Sequence, residues 1–374
     1  MSRREDIGLV FDLFSLSLTE CETSRSRPQP VVWSRSTQRN TVGISSTLHV
    51  LPGMHSGMKR ALETYENLDS SVTSELCEFL EKMAISNRER NREILRAMER
   101  IALVLEHEGI APVWLKGAAH LIDGGEFIQE SRFLNDIDIL VVKSELAASV
   151  EALDHAGFRK LVDDFDSEQR KHYPRLFHDD CIVGVEVHRR IFPIHDDPLL
   201  QRVDISGTSV PVSRNRRSWL LPSLRNRLLH LIHHSMVQNS HFDHHLISLR
   251  EQLDFHNLFK NGLERQSVRD VGKIFVDSGY RAHFAAFAEI ASQVQPADVV
   301  TRTGIGEFAG DGRWLGKTLT RLAHPNLMRL VEIGRWLPYY YQRWQAGTPL
   351  LSRGTLAYAR KAIDRYRNTF GNIK

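Results

Sequence analysis

The run Asp136-Ile137-Asp138-Ile139-Leu140-Val141-Val142 constrains this chain more than any other stretch. Acids alternate with branched apolar residues, a period of two that an extended strand converts into two distinct faces. Ile137, Ile139 and Val141 make the face that must meet a core, while Asp136 and Asp138 share the other. A sheet is therefore required. The rise per residue sets the two aspartates roughly 6 to 7 Å apart at their Cα atoms. Carboxylates at that spacing can grip a pair of divalent ions about 4 Å apart, the clamp that an in-line phosphoryl displacement needs.

Two further stretches fit that chemistry. In Trp114-Leu115-Lys116-Gly117-Ala118-Ala119 an apolar run ends in Gly and small residues open a helix. Such a turn lets backbone N–H groups and the positive helix end come close to phosphates. Lys116 and Arg132 add the positive charge that a triphosphate requires. The second stretch is Ile182-Val183-Gly184-Val185-Glu186-Val187-His188. Glu186 lies between two valines, so it faces away from the apolar side together with Gly184 and His188. An unused glutamate on a buried strand would cost several kcal/mol, on the order of an uncompensated buried charge. Glu186 is accordingly read as a third carboxylate, a metal ligand and a base toward an attacking hydroxyl. His188 is read as its neighbour in the site, orienting the carboxylate. Carboxylates plus substrate phosphates suit Mg²⁺, or Mn²⁺, which prefer hard oxygen ligands.

Around this centre the pattern predicts two helices over Ser71–Gly109, separated near Ser86-Asn87. Strands Pro112–Leu115, Ile137–Val142, Phe158–Val162 and Cys181–His188 follow, with helices between them. This interleaving indicates an α+β core, a mixed sheet with flanking helices. Beyond Pro193 the pattern becomes mostly helical, after a strand pair near Val203–Val212. Residues 1–69, rich in Ser, Thr, Arg and Pro over Thr23–Ser46, are expected to be disordered or weakly ordered, although the apolar piece before them can also fold back as a helix. The expected division is 1–69 as an extension, 70–193 as the core with leading helices, 194–303 as a helical domain and 304–374 as a basic, aromatic-rich segment. No apolar run approaches the length that spans a bilayer, and the three cysteines show no metal or disulfide spacing, so a cytoplasmic protein is expected.

Leu115-Lys116-Gly117-Ala118-Ala119, Arg132 with Asp136-Ile137-Asp138-Ile139-Leu140-Val141, and Val185-Glu186-Val187-His188 together resemble the uncharacterised nucleotidyltransferases of the DNA polymerase β superfamily. The likeness runs from about Leu95 to Phe259, and Leu228–His233 and Leu249-Arg250-Glu251-Gln252-Leu253-Asp254 resemble that family's helical region. It implies a nucleoside triphosphate donor whose nucleoside monophosphate moves to a hydroxyl or phosphate acceptor, with pyrophosphate leaving. Carried onto this chain, Asp136, Asp138 and Glu186 hold the metals, while Lys116, Gly117, Ala118, Arg132 and His188 serve nucleotide and metal binding. One departure is visible: the superfamily usually follows its Gly with Ser or a second Gly, and here Ala118 supplies no hydroxyl.

That departure favours an alternative, a non-catalytic module that binds nucleotide or a partner on a degenerate nucleotidyltransferase fold. Three intact carboxylates oppose it, because a binding module has no use for repelling charges held together. With a formal net charge of only +3 the chain offers no extended track for a polyanion. A small-molecule or protein acceptor is expected rather than long nucleic acid. The C-terminal segment, where Lys and Arg far outnumber Asp and Glu among several Trp and Tyr, could bind a nucleic acid or a membrane surface, but a half-buried helix face explains it better. The crowd of histidines between His233 and His256 lacks metal-site spacing and reads as helix surface and hydrogen-bonded core.

Overall fold

The computed structural model of the chain describes residues 3–19, 34–64, 70–161, 166, 168, 170–192 and 203–324. Its strands are β1 (Val113–Trp114), β2 (Asp136–Leu140), β3 (Arg159–Lys160), β4 (Leu176–Phe177), β5 (Gly184–His188), β6 (Ser209–Arg214) and β7 (Arg217–Pro222). They form one mixed sheet in the order β3-β4-β5-β2-β1-β7-β6. The aspartate-bearing β2 lies inside it, antiparallel to β1 and parallel to β5. Ile137, Ile139, Val185 and Val187 have no solvent exposure, as the period-two pattern requires.

Helices cover the sheet and extend beyond it: α1 (Arg3–Leu18), α2 (Arg35–Thr47), α3 (Met54–Thr64), α4 (Ser70–His107), α5 (Lys116–Asp123), α6 (Glu126–Ser131), α7 (Leu146–His155), α8 (Leu224–Ile232), α9 (Leu249–Lys260), α10 (Arg265–Asp277), α11 (Arg281–Val294), α12 (Ala297–Thr303) and α13 (Arg313–Ala323). The fold is α+β, a mixed sheet with flanking helices followed by a mostly helical region.

Three features depart from the expected organisation. First, the described part of residues 1–69 is helical. Ile7, Val10, Leu13 and Phe14 of α1 are each at most 2% exposed, and Asn40 of α2 donates to the buried Asp6 carboxylate at 2.7 Å. The apolar residues of α1 repeat at helical spacing, so this piece can repay its ordering entropy by packing. Residues 20–33, which hold much of the polar stretch, lie outside the described residues.

Second, α4 passes Ser86-Asn87 without a break. Asn87 looks like a helix terminator, but its amide donates to the carbonyls of Glu130 and Arg132, at 2.8 and 3.2 Å. Asn91, one turn on, donates to Gln129 and Arg132, at 2.7 and 2.8 Å. Both side chains satisfy orphan carbonyls at the end of α6, a tertiary use that local sequence cannot announce. They thereby anchor the segment that leads into β2.

Third, the sheet crosses the boundary drawn at residue 193. β6 and β7 form a hairpin beyond it, and β7 pairs parallel with β1. The turn residues Asn215 and Arg216 both have positive φ, 49° and 61°, the conformation a two-residue hairpin turn needs. Arg in place of the usual Gly hid this turn. The C-terminal segment contributes α13, and everything after His324 lies outside the described residues. Among the described residues no helix is long and apolar enough to cross a membrane.

Candidate active site

The parallel pairing of β2 with β5 sets Asp136 opposite Gly184, Asp138 opposite Glu186 and Leu140 opposite His188. The acids read from separate stretches thus lie side by side on one face. Asp138, Glu186 and His188 each offer a ligand atom within 4.8 Å of the others, and all three are buried. His188 Nε2 lies 2.8 Å from Asp138 Oδ1 and 3.6 Å from Glu186 Oε2. The tightest group is therefore two carboxylates and an imidazole. Asp136 stands toward the mouth, its side chain 29% exposed.

Two cations offset this charge. Lys116 Nζ donates to Asp138 Oδ1 at 2.5 Å, and Arg175 Nη2 donates to Asp136 Oδ2 at 3.1 Å and to Glu186 Oε1 at 2.5 Å. Lys116 adopts φ +47°, a left-handed conformation unusual for a side-chain-bearing residue and the kind of local strain that collects at functional sites. Arg175 owes its position to Gly184, where an added Cβ would come within 2.4 Å of the arginine Cδ. The absence of a side chain opposite Asp136 is the groove in which the Arg175 stem lies.

The electrostatics follow from burial and these neighbours. Burial and the nearby Asp138 charge push the Asp136 carboxyl up to about 6, against the pull of Lys116. For Asp138, burial acts upward, but Lys116 and the His188 hydrogen bond outweigh it and hold the carboxyl below its ordinary range. Burial likewise opposes ionisation of Glu186, and His188 and Lys116 overcome it. Lys116 is buried, which disfavours its charge, yet Asp138, Glu186 and Asp136 raise its pKa. Site and counterions are ionised together.

The other residues expected in the site divide. Gly117 lines the cavity, and a Cβ there would press to 2.9 Å from Leu134 Cγ, so close packing requires the glycine. Ala118 does not line it, being fully buried in α5. Arg132 reaches the cavity wall, but its guanidinium is committed to Asp254 through Nε at 2.7 Å and Nη2 at 2.9 Å. That bidentate pair makes Arg132 a strut between the end of α6 and α9.

A cavity of about 350 Å³ opens over the carboxylates. Its far wall holds Lys171, His230 and Arg227, which the sequence reading did not single out, with His234 from the histidine crowd and Arg250 and Asp254 of α9 from the stretch that carries the helical resemblance. His234 comes from a π-helical turn, His233–Gln238, that continues α8, a distortion frequent at functional sites. Below the wall, His120 Nδ1 accepts from Asn257 and Arg227, each at 3.0 Å, and Arg227 forks onto Asp123. This buried network joins α5, α8 and α9. Arg175 left a trace in the sequence, the glycine in strand β5, whereas Lys171, His230 and Arg227 come from a loop and a helix whose placement against the sheet no local pattern announces. The remaining histidines between His233 and His256 include hydrogen-bonded ones, such as His241 with Ser235 at 3.2 Å and His256 with Gln295 at 3.1 Å.

The family model of the uncharacterised nucleotidyltransferases matches residues 55–289, more than half of the chain. The chain belongs to this family. The nucleotidyltransferase match contains the whole cavity, and it starts at α3, well before the stretch that carries the motif resemblance. Comparison with curated proteins and with solved structures gives no match.

Proposed function

We propose that the chain is a metal-dependent nucleotidyltransferase that moves a nucleoside monophosphate from a nucleoside triphosphate to an acceptor hydroxyl or phosphate. The observation that carries this reading is the convergence of Asp138, Glu186 and His188 within 4.8 Å on adjacent parallel strands, inside a matched nucleotidyltransferase span. The donor set fits a divalent ion: two ionised carboxylates supply hard oxygens, the imidazole is tolerated by Mn²⁺, and Asp136 completes the face. Asp136, Asp138 and Glu186 would hold the metal, which when bound offsets triphosphate charge and favours ionisation of the attacking hydroxyl.

The protein's own groups do the rest. The acceptor oxygen forms a bond to the α-phosphorus, the bond from that phosphorus to the pyrophosphate oxygen breaks, and the hydroxyl proton passes to a carboxylate of the set, Glu186 on the neighbouring strand. Lys116, already directed at the carboxylates, neutralises the triphosphate, and Gly117 lets it approach the start of α5. Arg175, on the open side of the site, is positioned to transfer from the carboxylates to phosphate oxygens when a metal takes its place.

A thermal-shift screen of nucleoside triphosphates with and without Mg²⁺ tests the reading. Stabilisation that needs both, and that disappears in Asp138→Asn, supports it. A chain that responds to no nucleotide under either condition rules it out.

A further inference from the structure

The cavity is lined by more positive charge than the carboxylate cluster uses, and most of it is already matched. Among its described residues, Lys116 lies on Asp138 at 2.5 Å, Arg132 on Asp254 at 2.7 Å and Arg250 on Glu251 at 3.0 Å, while Arg227 forks onto Asp123. Lys171 differs. Its ammonium donates to a neutral group, the Gln238 carbonyl oxygen at 3.2 Å. The orientation of that amide is set from its other end, where Nε2 donates to the Ile191 carbonyl at 3.3 Å. Its hydrogen bond goes to an amide, and the carboxylates that act on it across the cavity are already matched by Lys116 and Arg175, so this buried ammonium can take a further anion.

A second, independent feature lies beside it. His230 is 4% exposed and lines the same cavity, and its Nε2 has no hydrogen-bond partner. Burial and the charges of Lys116 and Lys171 keep this imidazole neutral, so it can present an N–H to an oxygen without adding charge. A buried nitrogen without a partner that faces a cavity is one that a ligand oxygen can satisfy.

The placement of Lys171 decides which anion. In the sheet order β4-β5-β2-β1, Lys116 follows β1 on one side of the carboxylates. Lys171 lies on the other side, next to His172, which bridges to His188 at the end of β5. The two backbones therefore lie on opposite sides of the carboxylates, while both ammonium groups share one cavity, close enough to repel each other. With Lys116 and Gly117 serving the donor triphosphate, Lys171 is left for the acceptor.

We propose that Lys171 and His230 form an anion subsite for the acceptor, so that the substrate receiving the nucleoside monophosphate is a small molecule carrying a phosphate monoester or carboxylate near its reacting oxygen. This rests on the nucleotidyltransferase reading for its acceptor role, though the subsite itself does not.

Calorimetric titration of inorganic phosphate into the full chain tests it, first alone and then with the chain saturated by each non-hydrolysable nucleoside triphosphate and Mg²⁺. Wild type is expected to bind phosphate with closely similar affinity in both states. Lys171→Met is expected to weaken binding at least tenfold, Lys171→Arg to retain it, and Gln238→Glu, which gives Lys171 an internal carboxylate, to weaken it as Lys171→Met does even if that variant folds poorly. No phosphate binding by wild type, or binding that both weakening variants leave intact, overturns the subsite. Competition between phosphate and nucleotide overturns the acceptor role, since Lys171 then serves the triphosphate. Lys171-dependent phosphate binding with no nucleotide binding at all refutes the nucleotidyltransferase reading and the acceptor role with it, while the anion subsite stands.

Discussion

Arg175 is the residue the structure adds to the site. It holds Asp136 through Nη2 and Glu186 through both Nη2 and Nε, on oxygens that would grip a divalent ion. Metal and guanidinium then compete for the same oxygens. Removing the arginine removes one positive charge from the carboxylates that would hold the metal, worth on the order of 1 to 3 kcal/mol once partial exposure is allowed for. Arg175→Ala is expected to bind Mg²⁺ about tenfold more tightly in calorimetry than wild type, while nucleotide affinity falls. Unchanged metal affinity would show that Arg175 does not share the metal's oxygens. At this scale the sequence was informative where a period of two governed: Asp136, Asp138, Glu186 and His188 share a face because strands alternate. It was uninformative about Arg132 and Ala118. A charged residue near a motif carries no sign of whether a distant Asp254 already holds it, and an alanine in a helix start carries no sign of which way the helix is turned.

Among the elements, α1 marks the clearest difference between expectation and structure. It packs against α2, α3, α11 and α13, so a helix at the start of the chain reaches elements near the end of the described residues. The contact with α3 depends on Gly57, where an added Cβ would lie 1.9 Å from the Leu13 carbonyl oxygen. That atom is backbone and cannot move aside alone. Gly57→Ala is expected to destabilise the protein by about 3 kcal/mol, the cost of overpacking a closed interface. Gly8→Ala on α1 meets nothing within 4 Å and is expected to be neutral or slightly stabilising, by up to about 1 kcal/mol of helix propensity. Urea denaturation of the pair checks this, and equal effects would show that α1 does not dock on α3. The helix itself was one of two open readings of the sequence. Its docking was not readable, because the requirement rests on a glycine more than forty residues away. The single long α4 was obscured for the related reason that Asn87 and Asn91 act through α6.

For the whole molecule, the strand-and-helix alternation disclosed an α+β core, while the hairpin β6–β7 and the network through His120 were invisible because both depend on how distant segments meet. That network and the cavity wall give the protein a pH signature. His120 and His230 are buried, and burial together with neighbouring cations, Arg227 beside His120 and Lys116 near His230, keeps both well below the ordinary histidine range. The unfolded chain protonates them near pH 6.5, whereas the folded chain does not. Below that pH the unfolded state binds more protons, so stability falls as pH falls, by about 1 kcal/mol per histidine between pH 6.5 and 5.5. Urea denaturation is expected to show a loss over that interval that is about 1 kcal/mol smaller in His230→Gln than in wild type. Identical profiles for the two would mean that His230 is charged in the fold.

The central claim is that Asp136, Asp138 and Glu186 form one metal-dependent nucleotidyl-transfer site. Its most direct test is pyrophosphate release from nucleoside triphosphates by the full chain, with Mg²⁺ or Mn²⁺, in the presence of candidate acceptors bearing a phosphate or carboxylate. The account predicts metal-dependent release coupled to a nucleotidylated acceptor, reduced at least a hundredfold in Asp138→Asn while that variant keeps the wild-type circular dichroism spectrum. Release that persists in folded Asp138→Asn would contradict it.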